Sequence, residues 1–212
     1  MRSTDTHFVT RARQVVLALC ISLSLSAQVT DRDLFDAYLR EDMTVWKAYV
    51  DELNTLNSSS AALNSEALLY LYGYCGYIVA EAKKDGKESL LPEAKRYVAQ
   101  FKQHVEAQKA TLPKGHYEMY LSAVYVFELR LHESLHPLKA MDLAKKATQL
   151  APEDPMTLTY YGTSLFYAPK AFGNKKEALK WFEKASVYFA DPKWAYCWLR
   201  EANDMYINKL TH

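Results

Sequence analysis

Apolar residues in this chain recur three and four positions apart over long stretches, which is the period of one face of an α-helix. No stretch alternates apolar and polar residues as a half-buried strand would. Between the periodic stretches stand residues that end helices: Ser58-Ser59-Ser60, Asp85-Gly86, Pro113-Lys114-Gly115, Pro137, Pro152 to Pro155, Ala168 to Gly173 and Asp191-Pro192. These breaks predict helices at about 31–56, 61–84, 90–110, 115–133, 137–150, 155–167, 174–189 and 193–209. Several starts carry the chemistry of an N-cap. Thr30 stands three before Asp33, Asn174 three before Glu177, and Asp154-Pro155 and Asp191-Pro192 each put a capping carboxylate before a proline at the first helical position. The connections are short, so consecutive helices are expected to be antiparallel neighbours. The fold class is therefore all-α.

Small residues repeat on top of that pattern. Leu158, Tyr161, Gly162 and Leu165 have the W-x2-L-G-x2-Y spacing, and Ala178, Phe182 and Ala185 follow with A-x3-F-x2-A before Pro192. Ala140, Ala144 and Ala147 before Pro152 repeat the second half, with Ala123 or Val124 standing in for the missing glycine of the helix before. Leu69, Tyr72, Gly73, Ala94 and Val98 give an earlier, more widely spaced copy. A glycine on the first helix lets the second come close, an alanine does the same from the other side, and Phe182 fills the space between. The stretch over about residues 66–192 resembles the tetratricopeptide repeat (TPR) family, exported bacterial members in particular. Its repeats are uneven: Ala94 to Ala140 spans 46 residues and Ala140 to Ala178 spans 38, against about 34 in the family.

The resemblance implies antiparallel helix pairs stacked as a short TPR-like α-solenoid with capping helices at both ends. About three irregular pairs would occupy 61–192. An N-terminal helix within 28–60, with Leu34, Tyr38, Trp46, Tyr49 and Leu53, would close one end. A final helix in 193–212 would close the other, burying Trp194, Cys197, Trp198, Ala202 and Met205. The packing positions would be Gly73, Ala94, Ala140, Ala147, Gly162, Ala178, Phe182 and Ala185. The family's groove-lining positions fall on Tyr70, Tyr74 and Tyr77, then Tyr120 and Phe127, then Thr159, Thr163 and Phe166 with Tyr167 beside them. A concave aromatic surface of that kind holds a peptide, because tyrosine offers a large rigid contact and a hydroxyl. The alternative is that the stripe is core, buried by helix 31–56.

Residues 1–27 change the picture of compartment. Arg2, Arg11 and Arg13 precede the apolar run Val15 to Leu25, and Ser26-Ala27 supplies a small residue before Gln28, the layout of a signal peptide. The run is shorter than the roughly 20 residues that span a bilayer. Export to a periplasm or the medium is expected, with membrane association only if the segment is retained. Loss of these residues removes three arginines and one aspartate and turns the net charge from +1 to −1. Cys75 and Cys197 would remain, both in apolar helical stretches, as buried free thiols or as a bridge.

Half of the 212 residues are apolar and 24% are charged, with six glycines and seven prolines. That composition excludes a disordered tail, a collagen-like repeat and a disulfide-dense miniprotein. A net charge of +1 carries no basic excess for a phosphate backbone, so no nucleic-acid partner is expected. One catalytic string is present: His132-Glu133-Ser134-Leu135-His136 matches H-E-x-x-H, which on a helix sets two histidines on one face for Zn²⁺. Pro137 disfavours helical geometry at His136, and no third ligand stands at a recognisable spacing. The expected function is accordingly a non-enzymatic interaction or scaffold module that binds a peptide segment or an envelope protein, without cofactor or metal. A zinc-dependent hydrolase is the alternative. Oligomeric state stays open, because unsealed solenoid ends can stack.

Overall fold

A computed structural model describes residues 30–55, 61–132, 136–169 and 173–212. The signal-peptide expectation for 1–27 lies outside the described residues, as do Glu133, Ser134 and Leu135. Among the described residues the chain is all-helical, without strands, and its helices pack in neighbouring pairs. The helices are α1 Asp31–Leu39, α2 Met43–Thr55, α3 Ala61–Glu81, α4 Leu91–Ala107, α5 His116–Arg130, α6 Pro137–Leu150, α7 Pro155–Tyr167, α8 Lys175–Phe189 and α9 Trp198–Thr211. Short 3₁₀ turns at Glu88–Leu90 and Pro192–Trp194 lead towards α4 and α9.

The predicted caps form. Thr30 and Asp33 make a reciprocal capping box, the Asp154 carboxylate accepts from the Thr157 amide, and the Asn174 side chain accepts from the Glu177 amide. Asp191 caps the 3₁₀ turn rather than a long helix, and the final helix begins at Trp198 instead of 193. The predicted helix 31–56 is two helices. Glu41 takes a left-handed backbone (φ 57°), its amide bonds to the Tyr38 carbonyl, and the Asp42 amide reaches back to Ala37, 2.9 Å. This is a Schellman ending built without glycine. It folds α2 back along α1, so that the Trp46 indole donates to the Leu34 carbonyl, 2.8 Å.

Close packing is clearest between α7 and α8. A Cβ built on Gly162 would lie 2.8 Å from the Phe182 ring, and Ala178, Phe182 and Ala185 have no exposed surface. Between α5 and α6, Ala123 and Val124 are buried, and Ser122 beside them makes a direct contact. The Ser122 hydroxyl donates to the Ala140 carbonyl, 2.6 Å, and Ala140 and Ala147 are both buried on α6. Gly73 departs from expectation. It does not admit α4: a Cβ there would lie 2.4 Å from Trp46 Cζ3 and 3.0 Å from Trp198 Cζ2. The glycine faces α2 and the start of α9, while Ala94 is buried on α4 without it.

That contact changes the architecture. Trp46 and Trp198 pack edge to face at 5.6 Å, Tyr38 lies 5.7 Å from Trp198, and Phe35 lies 6.0 Å from Tyr196. The N-terminal helices thus meet the start of the last helix instead of sealing an opposite end. Of the face expected on the last helix, Cys197, Trp198 and Ala202 are buried, Trp194 is half-buried and Met205 is 39% exposed, while the polar Asn203 is fully buried. Asn203 is satisfied there: it donates to the Phe182 carbonyl and the Ser186 hydroxyl and accepts from Thr159. Cys75 and Cys197 are both free and buried, and burial pushes the Cys197 thiol up to about 11.

Candidate functional site

The tyrosine stripe of α3 is mostly core. Tyr70 is buried, donates its hydroxyl to Asp31 at 2.8 Å, and stands edge-on to Trp46 and Tyr49. Tyr74 is buried with its ring edge-on to Tyr97, 4.8 Å away, and burial pushes its hydroxyl pKa up. Tyr120, Phe127 and Thr159 are buried as well. Thr163 and Phe166 are half-buried, and only Tyr77 (39%) and Tyr167 (65%) are open to solvent. The predicted groove is therefore corrected. Its central positions are occupied by contacts between helices: α1 and α2 cover Tyr70, Tyr97 of α4 meets Tyr74, Phe101 of α4 meets Tyr120 and Phe127, and Asn203 of α9 takes the Thr159 hydroxyl.

Neither histidine of the His132-Glu133-x-x-His136 string lies within a helix. His132 follows the end of α5 with a left-handed backbone (φ 60°), and His136 occupies the N-cap position of α6. Both are exposed, and the shared face that an i, i+4 pair requires is not formed. Among the described residues no group of three or more His, Cys, Asp or Glu side chains is placed to hold a metal ion.

An open surface lies elsewhere. The turn between α6 and α7 and the end of α8 line an open cleft of about 530 Å³. Leu150, Pro152, Val187 and Trp194 supply apolar walls, and Lys114 and Glu153 stand in its lining. Leu150 is 41% exposed and Val187 69% exposed, high for apolar side chains on helices that bury their other faces. The floor is hydrogen-bonded. Asp154 caps α7 through the Thr157 amide, 2.9 Å, and its other oxygen lies 3.2 Å from His116 Nε2. The Thr157 hydroxyl donates back to the Ala151 carbonyl. Trp194 is held edge-on by Phe189, and the Lys193 ammonium pairs with Asp191 at 3.2 Å. An apolar side chain entering here would meet apolar walls and find both signs of charge in the lining.

The sequence pattern missed this cleft. Leu150 and Val187 look like ordinary apolar members of amphipathic helices, and only the placement of the turn at 151–155 beside the end of α8 brings them together. No family model, curated protein or solved structure matches the chain.

Proposed function

We propose that the chain is an exported, non-catalytic interaction module of TPR-like type, which holds a peptide segment of an envelope protein at the cleft between the α6–α7 turn and the end of α8. The carrying observation is the exposure of Leu150 and Val187 beside Trp194 in a cleft with a hydrogen-bonded floor. The solenoid reading is supported by the succession α3/α4, α5/α6, α7/α8 and by the interlock of Gly162 with Phe182. Export rests on the arginines and apolar run of residues 1–27. The zinc-hydrolase alternative has no comparable support, because His132 and His136 flank helices instead of sharing one.

The test is a cross-linked capture from envelope extract, with the unaltered chain and the Leu150→Asp/Val187→Asp double variant as baits. Circular dichroism checks that both are folded. A protein held by the first bait and lost by the second identifies the ligand. Equal capture by the two removes the cleft from the account.

A further inference from the structure

α1 lies over the aromatic face formed by Tyr70, Trp46 and Trp198, and two features set it apart from the helices beneath. It has nine residues, shorter than a helix that holds its own structure in water. It is bounded by the left-handed turn at Glu41. The face it covers also carries a buried donor, Trp198 Nε1, with no hydrogen-bond partner among the described residues. The hydrogen bonds that α1 makes to this face use two of its acceptors. The Asp31 carboxylate takes the Tyr70 hydroxyl and the Leu34 carbonyl takes the Trp46 indole, each at 2.8 Å. The rest is apolar contact: Leu34 and Ala37 are fully buried, Tyr38 packs on Trp46 and Trp198, and Phe35 packs on Tyr196.

With α1 lifted, the face would offer one phenol and two indole donors set among aromatic rings. Its chemical complement is a helix with an acid at its start and apolar residues three and seven positions on, as α1 itself has at Asp31, Leu34 and Tyr38. We infer that α1 is an intramolecular plug of this face, opening about Arg40–Asp42, and that a partner helix of the same acid-then-apolar pattern competes with it. This rests on the interaction-module reading and gives it a second, covered site.

The probe is a fluorescein-labelled peptide of residues 30–41, titrated by anisotropy against the full chain and its Leu34→Asp variant. The variant, with its own α1 unseated, binds the peptide at least ten-fold more tightly than the unaltered chain, and a peptide carrying Leu34→Asp does not bind. In the unaltered chain, backbone amides of α1 exchange with solvent at least ten-fold faster than those of α5 and α7. A folded Leu34→Asp chain that binds the peptide no better overturns the inference. So does exchange of α1 at the rate of α5 and α7, a measurement that stands even if the variant does not fold. The peptide reads the aromatic face and the envelope capture reads the outer cleft, so either reading can fail alone.

Discussion

Gly162 and Gly73 are both glycines because an aromatic ring occupies the space of their missing side chain. At Gly162 the ring is Phe182 on the next helix, the neighbour that the repeat spacing names. At Gly73 the ring is Trp46, from a helix earlier in the chain, and spacing alone does not tell which neighbour fills the gap. Gly162→Ala forces Phe182 to shift and should destabilise the chain by about 1–3 kcal/mol, the usual range for overpacking. Gly73→Ala, with Trp46 Cζ3 closer still, should cost at least as much. Urea midpoints of the two variants at constant m-value check both. The tyrosines carry the same lesson. Tyr70, Tyr74 and Tyr77 share a helical face, but periodicity assigns a face without saying whether water or another helix lies against it, and here most of the stripe is covered.

Helix starts were legible because a cap is local chemistry: Thr30, Asp154 and Asn174 sit within three residues of the amides they satisfy. Asp154 does more than Asn174, since it also faces the buried His116. Asn174→Ala should therefore cost about 1 kcal/mol, the ordinary loss of a cap. Asp154→Ala should cost more, because it also leaves His116 without its carboxylate; thermal unfolding of the pair ranks them. The α1–α2 break was not legible, because Arg40, Glu41 and Asp42 include neither glycine nor proline. Between α2 and α4, Tyr97 donates to Asp51 at 2.5 Å and Lys47 pairs with Asp51 at 2.6 Å. Burial pushes the Asp51 carboxyl up, but Lys47 and Tyr97 together pull harder and leave it below its ordinary value. A lowered carboxyl stabilises the folded chain above the unfolded pKa of about 3.9 and loses that contribution as pH falls through the folded value. Stability should fall below about pH 4, by less in Asp51→Asn, as read from urea midpoints at stepped pH.

Over the whole molecule, the helical class followed from the three-and-four period, which reports how each helix meets its neighbours. The closure of the chain's early helices onto Trp198 did not follow, because a period holds no information about partners distant in sequence. The cleft at Leu150 and Val187 was hidden for the same reason. A double-mutant cycle on Trp46→Phe and Trp198→Phe should show the two indoles coupled by about 0.5–1.5 kcal/mol, whereas Trp46→Phe with Trp181→Phe should be additive. This closure also sets an order of events during folding. Pairs such as α7 and α8 join residues close in sequence and form quickly, whereas Trp46 must wait for Trp198, near the end of the described chain. A ribosome making this protein releases α1 and α2 early and Trp198 late. Until then the Trp46 indole and the bare backbone at Gly73 lack their final cover, and the unfinished chain presents to chaperones an aromatic surface that the completed molecule conceals.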